Sequence, residues 1–335
     1  MRISTLLITL LLSIMSFAQR ADFQEIDFTK ADSIAHYYKD LSLKNLPVLT
    51  HKLTAALETD VEKFRAIYTW VSSNITNDYA SYVKISNKRK RFAKDRQAFL
   101  NWNTSITPKV FKNLLEHRKT ACTGYAYMIK EMANLAGFNC KIINGYGRTP
   151  TLLLKEDSTP NHSWNKVQIN NNWYVCDATW SAGETTVVNG TPFFQANYFD
   201  GYFLANPELF AKNHFPINKE NKQELKTDAF KAYVAGPVIY KEAFLAPIIP
   251  IAPPVMHHTI QKGACVTFTL QVPNQFNGDL ELLLNKGGSQ KNGSPIVTKK
   301  KNKINLEQNF KKKGLYDVHI TVDKQLVATY VIKVK

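Results

Sequence analysis

The chain has 335 residues, 44% of them apolar and 12% aromatic, with 43 Lys and Arg against 27 Asp and Glu, a formal net charge of +16. That length suits about two domains, and the apolar share supports sizeable cores and excludes general disorder. Four cysteines at wide spacing match no dense disulfide framework.

Residues 1–18 read as a secretory signal: Met1-Arg2, an apolar stretch from Leu6 to Ile14, then Ser16-Phe17-Ala18 as a small-residue cleavage site. The mature chain is expected to begin near Gln19 and to be exported, periplasmic or secreted. No later run reaches the roughly 18 apolar residues of a membrane-spanning helix. An exported protein has little access to chromosomal DNA, so no nucleic-acid partner is expected. The basic runs at 88–96, 299–303 and 311–313 read first as solvated faces, and second as sites for an anionic envelope polymer or membrane surface.

In chain order, residues 19–57 form an irregular N-terminal helical segment. The main domain spans 58–216. It opens with a capping-box pattern, Thr59 and Glu62, followed by Phe64, Ile67, Tyr68 and Val71 at helical spacing. Residues 73–107 are polar, basic and poorly periodic, which predicts a long loop with short helical pieces. Pro108 suits the first position of a short helix carrying Val110, Leu114 and Leu115. The next helix starts near Cys122, buries Tyr125, Met128, Ile129, Met132 and Leu135 or Ala136, and ends at Gly137 as a left-handed cap. Strands are predicted at 139–146, 163–169 and 173–178, and residues 193–210 return to aromatic and helical character. A proline-rich linker, 217–256, carries Pro237, Pro247, Pro250, Pro253 and Pro254. Beyond it, 257–335 alternates in short runs such as Val266–Leu270 and Tyr316–Ile320, separated by Asn277-Gly278 and Lys313-Gly314, and reads as a small immunoglobulin-like β-sandwich. The fold class is α+β.

Cys122 lies at a helix start, where partial positive charge and free N–H groups favour a thiolate and can stabilise an oxyanion. Gly124 and Ala126 are expected to keep the first turn narrow and leave room for a substrate. A lone cysteine in that position is more often a buried small residue, so the weight rests on two further stretches. Asn170-Asn171 suits a two-residue hairpin loop. In that register Ile169 faces Asn172, Trp164 faces Asp177, and His162 shares a face with Asp177 on the diagonal, within reach of a hydrogen bond. A one-residue slip would put the two on opposite faces. Together, Cys122 supplies a nucleophile, His162 a proton shuttle and Asp177 an orienting carboxylate. The thioester would pass to water or to an amine; the residue types do not choose. A Cys140–Cys176 bridge is the one disulfide considered, with burial as small apolar residues the leading alternative. His257-His258 lacks ligand spacing, so no metal and no cofactor are expected. Without a Cys-x-x-Cys, disulfide exchange is poorly supported.

The stretches Cys122-Thr123-Gly124-Tyr125-Ala126, Gly137-Phe138, Asn144-Gly145, His162-Ser163-Trp164-Asn165 and Trp173-Tyr174-Val175-Cys176-Asp177-Ala178-Thr179-Trp180 resemble the transglutaminase-like superfamily. Within it, the resemblance is to the kyphoscoliosis-peptidase branch. Tyr202–Phe210 and His214-Phe215-Pro216 share that look, so the resemblance covers roughly 60–216. It implies a papain-like α+β core, with the cysteine helix on an antiparallel sheet and Cys122, His162 and Asp177 in the triad places. It also makes Trp164, Asn165, Trp180 and Tyr125 substrate-cleft candidates, and Trp70, Tyr79 and Trp102 candidates for a side-chain oxyanion donor. The chain departs from the pattern at Trp180-Ser181, where glycine is more usual after the tryptophan. The implied activity is that of a cysteine peptidase or protein-glutamine acyltransferase acting on a protein or peptide substrate, such as a cell-envelope peptide. The alternative is a catalytically silent binding or scaffold protein of the cell envelope.

Overall fold

A computed structural model describes residues 19–152, 154–217 and 228–335. The signal segment expected at 1–18 lies outside the described residues. No helix among them is long and apolar enough to cross a membrane.

Helices α1 (Thr29–Tyr37), α2 (Leu46–Thr54) and α3 (Asp60–Asn74) build the first layer. At the start of α3, Glu62 N–H donates to Thr59 Oγ1 at 3.3 Å and Thr59 N–H returns a bond to Glu62 Oε2 at 2.9 Å. This capping box satisfies two first-turn donors. Phe64, Ile67, Tyr68 and Val71 are then buried together. Arg65, on the same helix, is buried and donates to both carboxylate oxygens of Asp32 at 2.6 and 2.8 Å and to Asp200. The bidentate geometry ties α1 to α3.

Residues 73–107 are not a loop. Strand β1 (Thr76–Asn77) pairs in parallel with β2 (Lys119–Thr120), and between them the chain makes two helices, α4 (Tyr79–Arg91) and α5 (Arg96–His117). Asp78 and Asp95 cap them, accepting from Ser81 N–H at 3.0 Å and Ala98 N–H at 2.9 Å. No residue of α4 is buried, so it needs no apolar stripe, and periodicity could not announce it. Pro108 lies inside α5 rather than at its start.

Helix α6 (Cys122–Leu135) packs on a sheet made of β3 (Cys140–Gly147), β4 (His162–Ile169) and β5 (Asn172–Cys176). Tyr125, Met128, Ile129 and Met132 face the core, Gly137 ends the helix at φ 90°, and Leu135 is exposed. After β5 come α7 (Ala178–Ala182), a hairpin of β6 (Gly183–Val188) and β7 (Thr191–Ala196), α8 (Pro207–Phe210) and β8 (His214–Pro216). The sheet order is β5-β4-β3-β8, all antiparallel.

Helix α9 (Asp228–Ala235) rests Phe230 and Tyr233 against Tyr146. The C-terminal region is strand-rich: β9 (Val238–Ile239), β10 (Ile249–Ala252), β11 (His257–Ile260), β12 (Cys265–Gln271), β13 (Leu280–Lys286), β14 (Ser289–Asn292), β15 (Ile296–Lys300), β16 (Lys303–Asn309), β17 (Gly314–Val322) and β18 (Gln325–Val334). One sheet runs β10-β12-β16-β15. The other runs β11-β18-β17-β13-β14, with β9 also on β18. The proline-rich stretch thus contributes two strands, and Pro250 sits on an edge strand, where a missing N–H is tolerated. The two sheets enclose Phe268, Leu306, Val318 and Tyr330, and this core continues into Trp164, Tyr202 and Phe210 of the preceding layer. The sandwich therefore backs directly onto the wall that carries His162.

Candidate active site

Cys122 is the first residue of α6. Ala121 precedes it in extended geometry and supplies no side-chain cap, so no side chain competes for the first-turn N–H groups. A Cβ at Gly124 would meet Thr120 Oγ1 at 2.0 Å. The space beside that glycine is filled by Thr120, not left for a substrate as the sequence suggested.

The β4–β5 turn has Asn170 at φ 49° and Asn171 at φ 65°. Ile169 pairs with Asn172 and Asn165 with Cys176, which brings Trp164 opposite Asp177 in the expected register. His162 Nε2 then donates to Asp177 Oδ2 at 2.7 Å. With Nε2 committed, the other ring nitrogen is left for Cys122, and the two side chains lie close enough for each to shift the ionisation of the other. His162 and Asp177 meet in a hydrogen bond, and Cys122 lies near enough for the imidazole to act on its charge.

Asp177 is fully buried and saturated. Its Oδ1 accepts from Thr179 N–H at 2.9 Å and Trp180 N–H at 3.3 Å, capping α7. Its Oδ2 accepts from His162 and also from His214 Nε2 at 3.1 Å. Burial alone would raise this carboxyl, but the two histidines, His162 foremost, hold it well below the usual carboxylate range. Burial would lower the His162 pKa, but Asp177, with a contribution from Cys122, raises it well above that of an ordinary histidine. Burial would raise the Cys122 thiol, but the hydrogen bond and charge of His162, aided by Arg89, bring it below its ordinary value. The charge distribution favours a thiolate–imidazolium pair.

His214 is the site residue that sequence reasoning missed. It appeared there only as part of a family-like stretch, and nothing in its local pattern points 37 residues back to Asp177. Burial pushes its pKa down to about 4 against the pull of Asp177. Its Nδ1 lies 2.6 Å from Asn213 Oδ1, and its ring stacks on Phe210 at 3.7 Å.

Trp180 stacks on the His162 ring, centroids 4.8 Å apart and planes 17° apart. A Cβ at Gly147 would come within 3.1 Å of His162 and 2.9 Å of Trp180, so glycine there lets the stack close. Of the other cleft candidates, Trp164 is buried against Phe210 and His214. Tyr125 is buried with its hydroxyl on Ile75 O at 2.5 Å. Asn165 donates to Ala126 O at 2.9 Å and holds β4 to the first turn of α6. These three stand behind the site, while Trp180 is half-buried at its margin. Trp70, an oxyanion-donor candidate, spends its N–H on Tyr38 O at 2.9 Å.

Helix α4 brings two side chains near the thiol. Cys122 and His162 are each only 6% exposed. Tyr82 and Arg89 lie near enough to interact electrostatically with Cys122, and Arg89 donates to Pro160 O at 3.1 Å, two residues before His162. Among the described residues, His162, Asp177 and His214 form a group whose donor atoms, all within 4.8 Å, suit a metal ion by type. Asp177 Oδ1 is already engaged by two N–H groups and its Oδ2 by both histidines, so the same atoms are accounted for as a hydrogen-bonded cluster. Cys140 and Cys176 are free and buried.

A family model of the transglutaminase-like superfamily matches residues 47–178. Kyphoscoliosis peptidase of Homo sapiens is 29% identical over 287 residues, covering 84% of this chain and 39% of that protein, and its Mus musculus counterpart is 29% identical over 285 residues, covering 84% and 38%. Hillarin of Drosophila melanogaster is 23% identical over 206 residues, covering 58% of this chain and 23% of that protein. The chain thus spans about two fifths of the kyphoscoliosis peptidases it matches. Among solved structures, the Lin-41 filamin domain aligns over 30% of this chain and 97% of its own with 9% identity and a TM-score of 0.23, too weak to bear on the fold. Residues 47–178 thus match a transglutaminase-like core, and the chain as a whole is similar to the kyphoscoliosis peptidases.

Proposed function

We propose that this chain is a cysteine hydrolase or acyltransferase acting on peptide or isopeptide amides. The observation that carries the reading is the His162 Nε2–Asp177 bond, which leaves the other ring nitrogen free to serve Cys122, a thiol whose pKa His162 lowers against its burial. The Cys122 thiolate attacks the amide carbon, and the first-turn N–H groups of α6 receive the oxyanion. The C–N bond then breaks as His162 protonates the departing amine, leaving a thioester. His162, now neutral, takes a proton from water or from an acceptor amine, which attacks the thioester and regenerates the thiolate. Asp177 stays ionised throughout and fixes the ring, and the reaction calls on no cofactor.

We further propose that residues 1–18 direct export and are removed; N-terminal sequencing of protein recovered outside the cytoplasm should begin near Gln19.

One observation favours the second reading, a silent scaffold of the cell envelope: the thiol and imidazole are both buried. Incubation of the purified protein with a peptide library and a primary amine, read by mass spectrometry, separates the two. The enzyme gives cleaved or amine-tagged products that vanish in Cys122→Ala. A protein giving neither, whose Cys122 also resists a thiol-reactive electrophile at neutral pH, is the scaffold.

A further inference from the structure

The open edge of the C-terminal sandwich has the makings of a peptide site, independent of the cysteine. Strands β14 and β15 end their two sheets on the same side and are joined by Gly293–Pro295. Every residue of both strands is exposed. Between them lies a groove of about 380 Å³ with Leu284, Ile296, Phe310 and Tyr316 in its lining and Lys291, Lys311 and Lys312 at its rim.

The register says what β15 offers. Lys300 pairs with Lys303 across a two-residue turn that has Lys301 at φ 53°. The pair flanking such a turn is hydrogen-bonded, so Ile296, Thr298 and Lys300 bond inward to β16, while Val297 and Lys299 turn their N–H and C=O groups to the open side. Val297 lies opposite the buried Leu306, on the core-facing side of its sheet, yet is 55% exposed because no strand follows. Ile296 beside it is 66% exposed. Lysine on an edge strand normally discourages pairing, but here the first half of the strand carries two bare apolar residues and no charge.

Charge chooses the partner. From 291 to 313 the chain has eight lysines and one acidic residue, Glu307. The whole chain is +16, so a second copy is a poor occupant. We propose that β15 accepts an extended acidic segment of another protein, added as a strand: its backbone bonds to Val297 and Lys299, its alternate apolar side chains enter the groove, and its carboxylates meet the lysine rim.

The test uses the full chain and a fluorescein-labelled octapeptide of alternating valine and glutamate. Polarisation should give saturable binding that weakens with salt. Val297→Pro, which removes an outward N–H at a tolerant edge, should weaken it at least tenfold. Should Val297→Pro lose its folded circular-dichroism spectrum, Val297→Lys serves the same purpose. Lys300→Glu with Lys312→Glu should weaken it to a similar degree. Cys265, the exposed cysteine, also lines the groove, and its alkylation should slow when peptide is bound. Absence of saturable binding overturns the proposal. So does equal binding of polyglutamate, or of an anionic polysaccharide, with the Val297 variants unimpaired, because the lysines would then be adhering to charge without strand addition.

Discussion

On one side of Cys122, β4 and β5 hold His162 and Asp177 in a wall where the carboxylate receives four donors and Trp180 closes over the ring. On the other side, α4 brings Tyr82 and Arg89 near the thiol without burying one of its own residues, and Arg89 to Pro160 O is its hydrogen bond to the neighbourhood of His162. The wall is set by saturated buried polar groups, each costly to disturb. The α4 side rests on half-buried and exposed side chains and on the aspartate caps, each worth little. A site of this construction keeps its reacting groups fixed while its α4 side is cheap to move.

Asp177→Ala tests the wall most severely. It leaves two buried imidazoles and two N–H groups without an acceptor and should cost about 3–5 kcal/mol by urea denaturation. His162→Ala should leave Cys122 an ordinary thiol and slow its alkylation at pH 7, by at most about 30-fold, the ratio between a fully ionised thiol and one whose pKa is about 8.5. Wild-type alkylation should itself fall as pH drops through a thiol pKa below the usual value.

A third test uses pH in a Cys122→Ala background, which removes the thiol's own titration. His162 is raised by Asp177, so the pair's stabilisation is fully present below the unfolded histidine value of 6.5 and is lost as pH rises through the folded value. The urea midpoint should therefore decline on the alkaline side, and a further His162→Gln should abolish that decline. A midpoint indifferent to pH there would mean the imidazole is not charged by its neighbour.

The α4 side should respond more mildly. Arg89→Ala should change stability by about 1 kcal/mol or less, yet speed Cys122 alkylation several-fold at a pH where the thiol is fully ionised in both proteins. If labelling is unchanged there, α4 does not gate the thiol. Asp95→Ala, removing the α5 cap, should cost about 1 kcal/mol, with no effect on labelling.

The same contrast explains what was legible beforehand. Asn170-Asn171 and the alternation around it fix the hairpin register, because one face of that sheet must be buried and a slip would invert it. Thr59 and Glu62 announce α3 for an equally local reason. Helix α4 and the first half of α5 escaped because neither buries a full apolar stripe; only the aspartates at 78 and 95 marked their starts, while Leu114, in the second half of α5, is buried and was legible. His214 escaped because its link to Asp177 is purely tertiary. The crowding of Thr120 on Gly124 was invisible for the same reason: β2 had to be paired before the threonine could be placed.

Asp177 carries one more implication, for how such a protein could change over time. Its Oδ1 starts a helix and its Oδ2 orients two histidines, so folding and chemistry draw on a single carboxylate. A lineage abandoning catalysis could lose Cys122 at little structural expense, whereas losing Asp177 would put the whole fold at risk. Among inactive descendants the nucleophile should be the first to go and the aspartate the last, so a surviving aspartate would testify to architecture and only the cysteine beside it to an occupation.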